Sequence, residues 1–339
     1  MKDIMKIDII GGSISGLSTA ISIKKNDNKI KVTVYEKNKK IGYNHEGRNC
    51  GEAHTVEKQW KEWIPEENSY FNTIAKGEII IGDKRWIYHR NPGVGYILNR
   101  QEFICQLSRK AEKLGALIKT NVRIKAISEL DGNYIIDASG CPSTVKKILG
   151  NSKGPKGIAY QQTLENSSSF IKDTIKVYFI GEGGYYWLFP RNPDKKEVNV
   201  GIGFLKKSNY NLKLLLEKFK EKHKIEGKVN YTSGGLIPIG LQRPLRYKNI
   251  LFVGDAGVGC FPFSGAGIYR ALLSGEIAGK CIADKCHNRY PHIINKEFIK
   301  WDVIGKGFFY SCSIFEKINK NLGLYFLNKL MNYSATLSH

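Results

Sequence analysis

The chain has 339 residues, 42% of them hydrophobic, with 53 lysines and arginines against 31 acidic residues and a formal charge of +22. That hydrophobic share excludes a disordered chain, and the length allows two domains sharing one large core. The positive excess points to an anionic partner such as a membrane surface or a phosphorylated small molecule. The lysines are scattered rather than massed, and no helix-turn-helix, RNP-type or zinc-finger pattern occurs, so nucleic acid is not expected as a partner. No run of about 18 apolar residues predicts a transmembrane helix, and the apolar run Ile7–Ile10 leads into a glycine turn rather than a signal-peptide cleavage site. The 7 cysteines include no C-x-x-C pair, which predicts reduced thiols and a cytoplasmic protein. A peripheral position at the inner face of the cell membrane is left open.

In chain order, Lys6–Ile10 reads as a short buried strand, Ile14–Lys24 as a helix, and Lys31–Glu36 as a second strand rich in β-branched residues. Parallel strands joined by a crossover helix make one βαβ unit. Trp60–Ile64 reads as a helical turn, and Glu78–Tyr88 and Gly95–Leu98 as strands on either side of Asn91-Pro92-Gly93. Arg100–Leu114 is a helix that presents Phe103, Leu107 and Ala111 on one face. Ala116–Lys119, Val122–Ser128 and Asn133–Ile136 follow as strands.

From Gly157 to Leu205 the strands lengthen and often alternate, as in an antiparallel sheet with one covered face: Ile158–Leu164, Thr174–Ile180, Tyr185–Phe189 and Glu197–Phe204. Asn211–His223 is an amphipathic helix, Asn249–Val253 a buried strand and Gly265–Lys285 a long helix. The pattern is α/β: a Rossmann-type cofactor domain that is interrupted by an antiparallel insert and then resumes. The expected division is a cofactor domain of 1–75, 95–150 and 245–285, a substrate domain of 76–94 and 151–244, and a short helical C-terminal segment of 286–339.

Gly11-Gly12-Ser13-Ile14-Ser15-Gly16 lies between the first strand and its helix. It follows the dinucleotide pattern G-x-G-x-x-G with Ser13 at the second glycine. Gly11 permits the tight turn and Gly16 the close approach of helix and strand, while the Ser13 hydroxyl is able to donate to a phosphate oxygen. The helix N-terminus offers free N–H groups and positive dipole. Glu36 ends the second strand about 20 residues further on, where an acidic side chain binds ribose hydroxyls. The fingerprint alone does not separate FAD from NAD.

Gly254-Asp255-Ala256-Gly257, after the strand Ile250–Val253, resembles the Gly-Asp segment of the p-hydroxybenzoate hydroxylase superfamily of FAD proteins. So do Pro262-x-Ser264-Gly265-Ala266-Gly267 opening a long helix, Arg100 at the start of another, and Asp137-Ala138-Ser139-Gly140 followed by Ser143. The resemblance implies FAD, with Asp255 on the ribityl chain and the turn Gly265, Ala266 and Gly267 at the pyrimidine edge of the flavin. Amides there would stabilise negative charge on the reduced flavin. The cofactor-binding set it implies is Gly11, Gly12, Ser13, Gly16, Glu36, Arg48, Cys50, Arg100, Val122, Asp255, Gly265, Ala266 and Gly267.

Within that superfamily, Arg48-Asn49-Cys50-Gly51-Glu52 and Tyr185-x-Trp187-x-Phe189-Pro190 resemble the geranylgeranyl reductase family, from about residue 6 to about residue 285. That family includes archaeal digeranylgeranylglycerophospholipid reductases and chlorophyll-pathway reductases. Ser13 and Glu182 depart from its pattern. The resemblance implies hydride transfer from flavin N5, with a proton, to isolated C=C bonds of a prenyl lipid. Tyr185, Trp187 and Phe189 alternate along a strand and so share one face; with Pro190 they are the expected substrate-binding residues. Aromatic faces stabilise positive charge and grip an apolar chain. Cys50, Glu52, Tyr185 and Trp187 are the expected catalytic residues, with Cys50 as candidate proton donor in an environment set by Glu52 and Arg48.

The electron donor is left among NAD(P)H, ferredoxin and a deazaflavin. The rivals are a monooxygenase or other oxidoreductase of the same superfamily, and a sensory flavin protein on a membrane; a halogenase would carry W-x-W-x-I-P. Cys281, Cys286, His287 and His292 suggest a metal site, but helical positions five apart diverge by about 140°, so no metal is expected. Phe308–Leu330, mixing aromatics, leucines and lysines, is expected to pack on the substrate domain or to lie on anionic lipid.

Overall fold

The computed structural model describes residues 4–43, 51–55, 63–89, 95–151, 154–181, 183–205 and 209–318. Strand β1 (Lys6–Ile10) is buried along four of its five residues, and helix α1 (Ile14–Asn26) returns the chain to β2 (Lys31–Tyr35), which pairs parallel to β1 with Ile7 opposite Val32. Three short strands, β3 (Ala53–Thr55), β4 (Tyr70–Ile74) and, further on, β7 (Gly95–Leu98), form a small sheet of their own. Between the last two lie β5 (Lys76–Ile81) and β6 (Lys84–His89), a hairpin closed at Gly82, whose φ of +57° suits glycine. The single strand expected over Glu78–Tyr88 is therefore two, because the tight turn at Gly82-Asp83 folds it back on itself.

Helix α2 (Arg100–Lys113) starts at an Asn99 cap, and β8 (Leu117–Lys119) and β9 (Tyr134–Asp137) extend the parallel sheet. The stretch Val122–Ser128, expected as a strand, pairs with nothing in a sheet. The Val122 N–H is spent on the Glu36 carbonyl, and the Glu129 carboxylate takes the N–H groups of Lys125 and Ala126, fixing a 3-10 turn at Ile127–Glu129.

After α3 (Thr144–Ile148) comes the large sheet: β10 (Lys156–Glu165), β11 (Thr174–Gly181), β12 (Gly184–Pro190), β13 (Val198–Phe204) and, beyond helix α4 (Leu212–Lys222), β14 (Lys228–Pro238). It has seven strands in the order β14-β10-β13-β12-β11-β5-β6, antiparallel except where β11 meets β5. Its central strands are buried on both faces. Leu188, Val200 and Ile202 pack with Leu216 and Phe219 of α4, while Tyr185 and Trp187 face the other way, toward Ile239 and Cys260.

The chain then re-enters the first sheet through β15 (Arg246–Tyr247) and β16 (Ile250–Phe252), giving the six-stranded order β15-β16-β9-β1-β2-β8. Helix α5 (Ile268–Ala283) lies across α1 with almost no side chain between them. A Cβ on Gly275 would fall 1.9 Å from Ser18 Oγ, and one on Gly279 2.4 Å from Ser22 Cβ. The hydroxyls of Ser18 and Ser22 donate across the seam to the carbonyls of Leu272 (3.1 Å) and Glu276 (2.8 Å). Helix α6 (Tyr290–Ile318) closes the described fold; the aromatic-rich stretch Phe308–Leu330 enters this helix up to Ile318, and its remainder, 319–330, lies outside the described residues. No described helix is long and apolar enough to cross a membrane.

Cys281 and Cys286 meet, contrary to the helical-spacing argument. The helix stops at Ala283, Lys285 turns left-handed at φ +55°, and the Cys286 N–H donates to the Cys281 carbonyl (2.8 Å), so the two thiols form a hydrogen bond across the end of the helix. Among the described residues, no three histidine, cysteine or acidic side chains group as metal ligands.

Candidate active site

The glycine turn is shaped by close backbone contact. Gly11 has φ +106°, and a Cβ there would lie 2.6 Å from the Ala138 carbonyl oxygen; one on Gly16 would lie 2.1 Å from the Gly11 oxygen. Ser13 stands at the N-cap position of α1, but its hydroxyl makes no capping bond; it donates to the Ala138 carbonyl at 3.1 Å, tying the turn to the end of β9. Glu36, buried just after β2, accepts the Gly12 N–H on Oε2 (2.9 Å) and the Asn38 N–H on Oε1 (2.8 Å). Two of its four acceptor positions are thus used to hold it, and two remain for the hydroxyls of a ribose. These residues fit the adenosine and pyrophosphate half of a dinucleotide.

The loops at the ends of β9 and β16 lie beside this turn. Asp137, fully buried, accepts from the Ser139 hydroxyl (2.6 Å), the Ser143 hydroxyl and the Val145 amide (3.2 Å), which explains the Asp-x-Ser…Ser pattern as a scaffold. Gly254, at φ +55°, comes so close to α1 that a Cβ would meet Ser15 Oγ at 2.3 Å. Asp255 reaches solvent in a recess it shares with Ser143, Lys146 and Gln242. Although the side chain is exposed to that narrow recess, the protein crowded around the carboxyl raises its pKa, while the Arg100 charge acts in the opposite sense. Arg100 acts in the same way on Glu52, so the first residue of α2 brings together carboxylates that are 203 positions apart in the chain.

Glu52 adopts a left-handed backbone at φ +62° and is buried. Burial raises its pKa, opposed by Arg191, whose Nε donates to Glu52 Oε2 at 2.7 Å. Asn199 Nδ2 donates to the same oxygen (3.1 Å), and Arg191 reaches Glu197 at 2.6 Å while lying 4.0 Å over the Phe71 ring. Arg48 and Cys50 lie outside the described residues, but Gly51 is described: a Cβ on it would strike the Phe189 ring at 2.8 Å.

The three aromatics of β12 form a continuous run, with ring centroids 5.8 Å apart for Tyr185 and Trp187 and 6.5 Å for Trp187 and Phe189. Tyr185 donates its hydroxyl to the Ser264 carbonyl (2.8 Å) and Trp187 its indole N–H to Gln161 (2.8 Å). Burial raises the Tyr185 phenol well above its ordinary range, so it stays protonated. At one end of the run is the turn Gly265–Gly267, with Gly265 at φ +69°; at the other are Gly51 and Pro190. Helix α5 begins at Ile268 rather than Gly265, because Phe261 N–H bonds to the Ala266 carbonyl and holds 261–266 as a turn.

A family profile described as the geranylgeranyl reductase catalytic domain matches residues 148–236, and one for an NAD(P)-binding Rossmann-like domain matches residues 9–60. The digeranylgeranylglycerophospholipid reductase of Methanocaldococcus jannaschii is 26% identical over 319 residues, covering 83% of this chain and 78% of that protein. That of Methanosarcina acetivorans is 28% identical over 315 residues, covering 83% and 75%. The chain is similar to the geranylgeranyl reductase family over its catalytic-domain segment, and to these two reductases over most of its length.

The fold is shared with a geranylgeranyl bacteriochlorophyll reductase-like protein from Thermoplasma acidophilum, with a TM-score of 0.78, 21% identity, and coverage of 91% of this chain and 88% of that one. A flavin-dependent halogenase, CmlS, shares it at a TM-score of 0.71 and 17% identity, covering 93% and 66%.

Several residues of the site carried no local signal in the sequence. Arg191 and Asn199 matter only because β12 and β13 bring them to Glu52. Lys146 is buried, donates to the carbonyls of Gln242 and Ala256 and sits 4.6 Å over Phe252; burial lowers its pKa to about 8. Arg270 donates to the carbonyls of Gly259 (3.0 Å) and Val258 (2.9 Å), bracing the loop after Gly254-Asp255, and pairs with Asp302 of α6 at 2.8 Å. An arginine in an otherwise apolar helix face is the one hint the sequence offered.

Proposed function

We propose that this protein is an FAD-dependent reductase that saturates isolated C=C bonds in the geranylgeranyl chains of a membrane glycerophospholipid. The observation that carries the reading is the aromatic run of β12, which spans from the turn Gly265–Gly267 to Gly51 of the C-G-E segment. The names of the relatives support the lipid class. FAD would be held by Gly11, Gly12, Ser13, Gly16, Glu36, Arg100, Asp255 and the turn at Gly265, Ala266 and Gly267. When bound, it supplies a hydride at N5.

The chain's own part follows from the chemistry of the alkene. An isolated double bond has no carbonyl to polarise it, so protonation builds positive charge on carbon. Tyr185, Trp187 and Phe189 supply electron-rich faces to that charge and an apolar wall that excludes water. The neutral Tyr185 phenol, anchored on Ser264, presents no anion to trap the cation. Cys50 is the candidate proton donor; two positions further on, Glu52 is held by Arg191.

The test is anaerobic: dithionite-reduced protein is mixed with a geranylgeranylated glycerophospholipid and the lipid is read by mass spectrometry. Stepwise gain of hydrogen pairs is expected from the wild type and not from Cys50→Ser. An unchanged lipid, with reoxidation only on admission of oxygen, would sink the reading and bring a monooxygenase forward.

A further inference from the structure

The strands of the six-stranded sheet begin at the edge remote from the Gly11 turn. There Met5 precedes β1, Asn133 precedes β9, and Lys248 and Asn249 lead into β16; with Tyr134, Arg246 and His287 they line an open cleft of about 450 Å3. At about 3.3 Å per residue, a five-residue strand puts this cleft roughly 16 Å from the glycine turn, so it is a separate place on the molecule.

Two nitrogens of the cleft are buried with no partner among the described residues: Arg246 Nε and His287 Nδ1. The guanidinium stays protonated, so Arg246 Nε is a donor. The Tyr134 hydroxyl lies 3.3 Å from His287 Nε2, with the two rings in contact at 4.3 Å. With that hydroxyl donating to Nε2, the imidazole proton sits on Nδ1, and the second orphan is a donor too. Burial, and then the Arg246 charge, hold His287 below its ordinary pKa.

No acidic residue lines the cleft, and Lys248 adds a further positive charge. Asp131, two positions before Asn133, is already paired with Lys6 at 2.6 Å. Two unmet donors, one of them cationic, beside the second cation Lys248, in a concave site without a carboxylate, are the complement of an anionic oxygen group. Lys248 is held there by a left-handed turn (φ +51°) between β15 and β16, and Met5 with the Tyr134 and His287 rings offers an apolar wall to the rest of the ligand.

We propose that this cleft binds a phosphate group, with Arg246 and His287 donating to its oxygens and Lys248 balancing its charge. The phosphate comes either from a soluble phosphorylated molecule or from a lipid headgroup. The site owes nothing to the flavin reading, since its residues lie at the opposite edge of the sheet.

Inorganic phosphate is titrated into FAD-loaded protein, so that the pyrophosphate site is filled, with calorimetry and the 15N-imidazole resonances followed together. Saturable one-site binding that shifts the His287 resonances is expected, weakened at least tenfold in Arg246→Gln and in Lys248→Asn. Asparagine tolerates the left-handed backbone, and an unchanged thermal melt shows that each variant is folded. Glycerol phosphate and vesicles of phosphatidic acid in phosphatidylcholine then separate the sources. Tighter binding of the solute identifies a soluble ligand, and vesicle binding lost in Arg246→Gln identifies a headgroup. Phosphate that leaves His287 unmoved, or binds Arg246→Gln as well as wild type, overturns the proposal. Flavin absorbance in the same samples reports cofactor retention separately, so failure here leaves the reductase reading standing.

Discussion

His54 sits two residues beyond Glu52, buried against the Phe103 ring at 5.7 Å, with Nε2 3.4 Å from the Trp63 carbonyl and Nδ1 without a partner among the described residues. Burial lowers its pKa to about 4 from an ordinary 6.5. The unfolded chain therefore takes up a proton that the folded one refuses between these values. Stability is fully present above pH 6.5 and is lost as the pH falls toward 4, by about 3 kcal/mol from this group alone. Urea unfolding at pH 7 and pH 4 should show that much more acid sensitivity in wild type than in His54→Gln; equal slopes would place the histidine in contact with water. Glu52 and Arg191 show why such residues escape a sequence reading. Each is an ordinary charged residue until β12 and β13 set them 2.7 Å apart, whereas Gly11 and Gly16 are legible in one dimension because a backbone turn is a local event.

At the scale of elements, the seam between α1 and α5 is the tightest contact between helices that the glycine geometry records, and it places the Gly254 loop against the first turn of α1. Gly275→Ala would drive a methyl to within 1.9 Å of Ser18 Oγ. Overpacking of this kind costs about 1–3 kcal/mol, and because α5 carries the turn that the proposed flavin meets, the variant should also retain less FAD. Thermal melts and the absorbance of the purified protein check both; an unchanged melt would show that the helices separate freely. The βαβ unit and the long antiparallel strands were legible because burial imposes its period directly on the residue pattern. Val122–Ser128 misled because its apolar residues pack on the face of the sheet, with Ile10, Ile135 and Phe252, while its backbone N–H groups go to the Glu36 carbonyl and the Glu129 carboxylate instead of a neighbouring strand. The meeting of Cys281 and Cys286 was hidden because spacing arguments hold only while the helix continues, and this one ends between them.

Across the whole molecule, α6 is tied to the cofactor end by one buried ion pair. Asp302 meets Arg270 and also accepts the Leu241 amide (2.7 Å), so it joins α6, the strand-to-loop passage at 241 and the loop braced by Arg270. Asp302→Ala leaves a buried guanidinium unpaired, which costs about 3–5 kcal/mol, and should release FAD before the protein unfolds; Asp302→Asn, keeping the amide acceptor, should do less harm. Denaturation followed by flavin fluorescence and by circular dichroism separates the two events, and coincident curves for both variants would refute the order given.

The six-stranded sheet draws β9 from residues 134–137 and its neighbour β16 from 250–252, with five strands of the seven-stranded sheet, β10 to β14, inserted between. During synthesis the edge of β9 therefore emerges long before its partner exists. At ribosomal speeds of about 5–20 residues per second, that edge waits on the order of ten seconds while the intervening antiparallel strands pair among themselves. A nascent chain of this protein is thus most vulnerable to pairing with the wrong strand in the interval when its seven-stranded sheet is already complete.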